Sequence, residues 1–155
     1  MNLLKLAPAA LCLAASALLY PPLASAQAAA PSTTTDKEQA AKEADGQLAA
    51  AGWLLMLDQQ NWGGAYEAAS QSFRNVVQIG QWMDSIPGVR APFGAFENRT
   101  LSRVVYKTTM PGRPDGEYVT TFFNADFANK KGVEEIVATV RDADGKWRVM
   151  GYAPR

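Results

Sequence analysis

Apolar residues fill positions 6–20 almost without interruption, preceded by one positive charge at Lys5 and followed by Pro21-Pro22 and the small triplet Ala24-Ser25-Ala26. A basic start, a short apolar middle and an A-x-A ending predict a secretory signal peptide, residues 1–26, cleaved after Ala26. The run is shorter than the roughly 20 residues a membrane span needs, and the paired prolines end a helix. No stable membrane insertion is therefore expected after cleavage. Residues 27–34, QAAAPSTT, are small, polar and marked by a proline, and read as a disordered leader. Residues 35–155 then form a single domain.

In that domain the pattern is first helical. Thr35-Asp36-Lys37-Glu38 fits a capping box. Ala41, Ala44, Leu48, Ala51 and Leu55 follow at spacings of three and four, which predicts one apolar helix face. Trp53, Leu54, Met56 and Leu57 widen that face, and the helix should stop near Asp58. Asn61 can cap a second helix with Trp62, Tyr66, Ala69 and Phe73 along one side, and Ser70 re-caps the chain and splits it in two. A last helical turn or two around Gln81-Trp82-Met83 is expected to end before Pro87-Gly88.

After Gly94 the period changes to alternation. Residues 100–109, 117–127, 134–141 and 146–152 are rich in β-branched and aromatic side chains and predict four strands. The turn-rich stretch 111–116 and Asp142-Ala143-Asp144-Gly145 are too short for crossovers, so successive strands should be antiparallel neighbours. The predicted fold class is α+β, with N-terminal helices packed on one face of a four-stranded antiparallel meander sheet. In the second strand Val119, Thr121, Phe123, Ala125 and Phe127 form the more apolar set and should face the helices.

Composition narrows the chemistry. The chain has no histidine, and its one cysteine, Cys12, lies inside the predicted signal without the small residue before it that a lipoprotein signal needs. Without His or Cys in the mature chain, serine–histidine triads, cysteine nucleophiles and ordinary zinc sites are excluded. Acid–base chemistry would fall to Asp, Glu, Tyr or Lys. About 129 residues after cleavage suffice for one disulfide-free domain held by its own core. Fifteen basic and fifteen acidic residues, with Lys5 lost alongside the signal, leave a net charge near −1. Neither a nucleic-acid partner nor a polybasic membrane patch is expected.

Four tryptophans, Trp53, Trp62, Trp82 and Trp147, are a heavy aromatic load for a small domain. They read first as core and, for Trp62, Tyr66, Phe123 and Trp147, secondarily as the lining of a pocket for a small apolar ligand. Asp126 with Tyr106 or Tyr118 would imitate an isomerase's carboxylate and phenol, but strand parity puts Asp126 on the outer face. Arg99, Arg103, Lys107, Glu134, Glu135, Arg141 and Arg148 are expected to pair across strands on the open face of the sheet, or to offer it to an envelope protein. Asp142-x-Asp144-Gly145 lacks the further ligands of a calcium loop and reads as a turn. Asn98-Arg99-Thr100 matches the glycosylation pattern, which carries no weight in a bacterial-looking chain. No metal or cofactor is predicted.

Several of these residues in order carry a family resemblance: Trp53 before Asp58; Ala68-Ala69-Ser70 followed by Phe73; Gln81-Trp82; Arg90 and Gly94. The turn Pro111-Gly112-x-Pro114-Asp115-Gly116-x-Tyr118, Phe127 with Lys130, and the ending Trp147-Arg148-Val149-x-Gly151-Tyr152 complete it. From about residue 50 to the C-terminus the chain resembles the uncharacterised exported bacterial family called domain of unknown function 4019. The resemblance implies secretion and a common fold, and it implies helix where Pro87-Gly88 stands. It brings no activity and no site residues. More loosely, helices followed by an antiparallel sheet look like the cone-shaped fold of nuclear-transport-factor-like proteins and ketosteroid isomerases, which implies a pocket between the layers. The expectation for function is an exported, non-enzymatic module, periplasmic or secreted, that binds a small apolar ligand or an envelope protein partner. The alternative is a small isomerase- or hydratase-like enzyme working with Asp, Glu and Tyr.

Overall fold

The computed structural model describes residues 34–155. The predicted signal peptide, its cleavage site, Cys12 and the leader up to residue 33 lie outside the described residues. Helix α1 runs over Thr34–Asp58, α2 over Trp62–Ala68, α3 over Gln71–Arg74 and α4 over Ile79–Arg90, followed by a 3-10 turn at Ala91–Phe93. Strands β1 (Phe96–Lys107), β2 (Tyr118–Phe127), β3 (Val133–Arg141) and β4 (Trp147–Pro154) form one antiparallel sheet in the order β1-β2-β3-β4. The α+β meander predicted from the pattern is the fold. Among the described residues no helix is long and apolar enough to cross a membrane.

Two of the three expected caps follow the sequence; Thr35 instead lies inside α1, which begins at Thr34, a residue expected in the leader. The Asn61 side chain accepts from the Gly64 amide at the start of α2, and Ser70 accepts from Phe73 at the start of α3. At the end of α1 the Asn61 amide reaches the Met56 carbonyl and the Gln60 amide the Leu57 carbonyl. This is the Schellman pattern, and it places Gln60 in the left-handed region at φ 57°.

The buried face of α1 keeps the expected Trp53, Leu54 and Leu57 but not the stripe expected to lead into them. Gly46, Ala50, Trp53, Leu54 and Leu57 meet the sheet, while Leu48 is 73% and Leu55 54% exposed and Ala41 and Ala44 face solvent. The alanine stripe has the right period but little area to bury. Trp53, Leu54 and Leu57 bring far more, and apolar area decides which side packs. Gly46 permits the approach, since a Cβ there would stand 2.5 Å from the Val119 Cβ.

The third expected helix is also longer than proposed. It continues through Pro87 to Arg90, as the family resemblance implied. Proline forfeits a helical hydrogen bond at a cost of about 3 kcal/mol. Burial of Ile86 and the ion pairs of Arg90, one and two turns beyond Trp82 on the same face, offset that loss.

On β2 the set Val119, Thr121, Phe123, Ala125, Phe127 is buried against the helices as predicted. The main core joins all four helices to the sheet through Trp53, Leu54, Leu57, Ala65, Phe73, Trp82 and Phe123. A smaller cluster of Phe93, Phe127 and Val133 closes the end of the sheet beside α4.

Candidate functional site

Where α1 ends, α4 ends and β1 begins, two arginines and two carboxylates meet inside the protein. Asp58 is the last residue of α1 and Arg90 the last of α4; Arg99 lies on β1 and Glu135 on β3. Arg90 Nη2 donates to Asp58 Oδ1 at 2.5 Å and its Nη1 to Glu135 Oε1 at 2.5 Å. Arg99 donates to Asp58 Oδ2 at 2.8 Å and Oδ1 at 3.0 Å, and its Nε to Glu135 Oε2 at 2.7 Å. Each carboxylate thus bridges both guanidiniums. The side chains are 7–9% exposed, and Glu135 is fully buried. Tyr152 adds a phenol, donating to Glu135 Oε1 at 2.7 Å and accepting from Arg90 Nη1 at 2.8 Å. Burial, followed by the neighbouring Glu135 charge, pushes the Tyr152 hydroxyl above its usual range, so the phenol stays protonated. Aromatic faces cover the cations: Arg90 lies 4.8 Å from the Phe127 ring centre and Arg99 4.5 Å from that of Phe96.

Two of these assignments overturn expectations. Arg99 and Glu135 are not on the open face of the sheet. Glu135 has the strand parity of Val133 and Val137, which point inward, and stands opposite Phe123. Arg99 is turned inward by an irregularity. Between Leu101 and Arg103 the register with β2 shifts by a residue, so Arg99 faces in beside Ala125 while Arg103 faces out, stacked on Phe122 at 3.8 Å. A second shift, between Ala138 and Thr139, leaves Met150 unpaired on β4 and puts both Val149 and Tyr152 opposite inward residues. Asp58, Arg90 and Tyr152 were among the residues carrying the family resemblance, and the parity Glu135 shares with Val133 and Val137 is the signal that would have found it. Arg99 was hidden by the bulge.

A cleft of about 350 Å³ opens beside this cluster. Leu57, Trp62, Pro87 and Phe96 supply its apolar walls, Gln60 stands along it, and Asp58 and Arg90 bring the ion-paired groups to its surface. Its volume lies within the range of small-molecule sites, and its mix of apolar walls and a few polar groups suits one.

Of the four residues considered for a pocket, Trp62, Tyr66 and Phe123 pack in or against the main core cluster. Trp62 lines the cleft, and its carbonyl accepts from the Trp82 indole at 2.8 Å. Tyr66 is half-buried, with its hydroxyl on the Val77 carbonyl at 2.9 Å, and Phe123 is a core residue. Trp147 begins β4 opposite Arg141. Trp53 and Trp82 are buried in the core with ring centres 5.9 Å apart, and Trp53 donates to the Ala65 carbonyl at 2.7 Å. Asp126 and the two tyrosines are not assembled: Asp126 accepts from the Gly132 amide, Tyr118 donates to the Pro114 carbonyl, and Tyr106 donates to Glu117. In the Asp142–Gly145 turn, Arg148 pairs with both Asp142 and Asp144.

Neither a curated protein nor a solved structure matches the chain. A family model does match, over residues 49–152, a span that takes in the helical core, the cleft and nearly all of the sheet. The chain belongs to the family described as protein of unknown function DUF4019.

Proposed function

We propose that this protein is an exported, non-enzymatic binding module, working in the periplasm or after secretion, that holds a small, mainly apolar ligand in the cleft beside Asp58 and Arg90. The cleft itself carries the reading: about 350 Å³, lined by Leu57, Trp62, Pro87 and Phe96 together with the polar side chains of Asp58, Gln60 and Arg90. Export rests on the basic, apolar and A-x-A pattern of residues 1–26. The isomerase- or hydratase-like alternative draws on the buried Glu135 beside the Tyr152 hydroxyl. Both Glu135 oxygens already accept from arginines, so a substrate would have to displace a guanidinium to reach that carboxylate. Ligand holding asks for no such rearrangement.

The test is to express the full chain with its own N-terminus, recover it from the cell envelope and take its mass under non-denaturing conditions. An added mass below about 500 Da, lost in Trp62→Ala while the far-ultraviolet spectrum is unchanged, is the expected result. Because Trp62 meets Trp82 through a backbone carbonyl, the alanine variant keeps that bond. A bare chain, or one that carries a protein subunit instead, sinks the small-ligand reading and favours the envelope partner.

A further inference from the structure

Among the described residues lining the cleft, Asp58 and Arg90 alone are charged, and they are bonded to each other. Behind them Arg99 and Glu135 complete a set of two positive and two negative groups. A ligand carboxylate reaching Arg90 would have to compete with Asp58. A ligand ammonium reaching Asp58 would have to share it with two guanidiniums. Either would add a charge to a largely desolvated, balanced site, which is costly. The cleft lining, by contrast, includes the ring-bearing side chains of Trp62, Phe96 and Pro87, which suit a ring.

Gln60 is the second observation. It is the one non-glycine residue among the described residues with positive φ, at 57°, in a position where glycine is the usual occupant. The same residue lines the cleft. A side chain kept at a backbone position that disfavours it points to a use for that side chain. Its carboxamide is uncharged and both donates and accepts.

We propose that the cleft selects an uncharged, ring-bearing ligand with one hydrogen-bonding group, and that Gln60 is the residue that reads that group. This rests on the small-ligand reading above. The specificity is then a matter of exclusion as much as attraction: charged relatives of the ligand are refused by the closed ion pairs, and rings without a polar group gain nothing from Gln60.

The test uses four probes of one size on the full chain, followed by amide shifts in nuclear magnetic resonance: 4-ethylphenol, 4-hydroxyphenylacetate, tyramine and ethylbenzene. 4-Ethylphenol should bind at least tenfold more tightly than the anionic and cationic relatives and severalfold more tightly than ethylbenzene. In Gln60→Gly, which suits the left-handed backbone, the thermal midpoint should hold or rise while the preference for 4-ethylphenol over ethylbenzene disappears. Binding of either charged probe as tight as that of 4-ethylphenol overturns the proposal, and so does a preference that survives in Gln60→Gly. If no probe shifts any amide of the cleft, the small-ligand reading fails and this inference with it.

Discussion

Glu135 is fully buried, and its charge is met by Arg90, Arg99 and the Tyr152 hydroxyl. Removing it leaves two guanidiniums on Asp58 alone, an uncompensated positive charge inside the protein. Glu135→Ala should therefore lose about 3–5 kcal/mol of stability, read from the urea midpoint. A loss under about 1 kcal/mol would mean that water, not the carboxylate, solvates the arginines. A second carboxylate gives a prediction in pH. Glu117 accepts from Arg141 and, at 2.6 Å, meets Lys42, with Tyr106 donating as well. Arg141 first and Lys42 next hold its carboxyl down at about 2, against an ordinary value of 4.5. Because the folded value is the lower one, this contribution is complete above pH 4.5 and is lost as pH falls toward 2. Glu117→Gln should flatten that part of the acid limb in a plot of stability against pH. Superimposable acid limbs for the two proteins would remove Glu117 from the account.

At the scale of the element, α1 and the strands show how a period is read and where it misleads. Ala41, Ala44, Leu48, Ala51 and Leu55 keep helical spacing as well as the true buried set does, so spacing alone did not choose between them. Side-chain size did, together with the bare surface of Gly46 against Val119. Leu54→Ala should accordingly cost about 2–5 kcal/mol, while Leu48→Gln and Leu55→Gln should each stay within about 0.5 kcal/mol of the parent. Chemical denaturation of the three variants checks this, and a large loss in either glutamine variant would mean that the exposed stripe is covered in solution. In the strands the alternation of β2 was read correctly; β3 alternates as regularly against it, but the charge of Glu135 concealed that it shares the inward parity of Val133 and Val137. In β1 the shifts at Glu97 and Ser102, and in β4 the one at Met150, reset the parity, and the side chains beyond them changed face. Helix α4 differs again. The local rule that proline ends a helix was overruled by Ile86 and Arg90, buried one on each side of Pro87.

For the whole molecule, the sequence by itself determined the order of helices and strands, the caps at Asn61 and Ser70, the meander topology, the helix-facing side of β2 and the family. These depend on neighbours within a few residues: capping side chains, alternation, and turns too short to carry a strand anywhere but back beside its predecessor. Gly112 and Gly145, with φ of 71° and 80°, supply the turn conformations that other residues disfavour. The tertiary structure decided the rest: which face of α1 is buried, how far α4 runs, and the union of Asp58, Arg90, Arg99, Glu135 and Tyr152 beside a cleft. Arg90 and Glu135 are 45 positions apart and Arg90 and Tyr152 62, so no local period links them. Their meeting depends on two one-residue bulges and on the helix ends that the core brings to the same corner of the sheet. A charged side chain far along the chain has no local preference for its partner; only the packed layers bring the two within hydrogen-bonding distance, out of water, where the pairing is strong enough to matter.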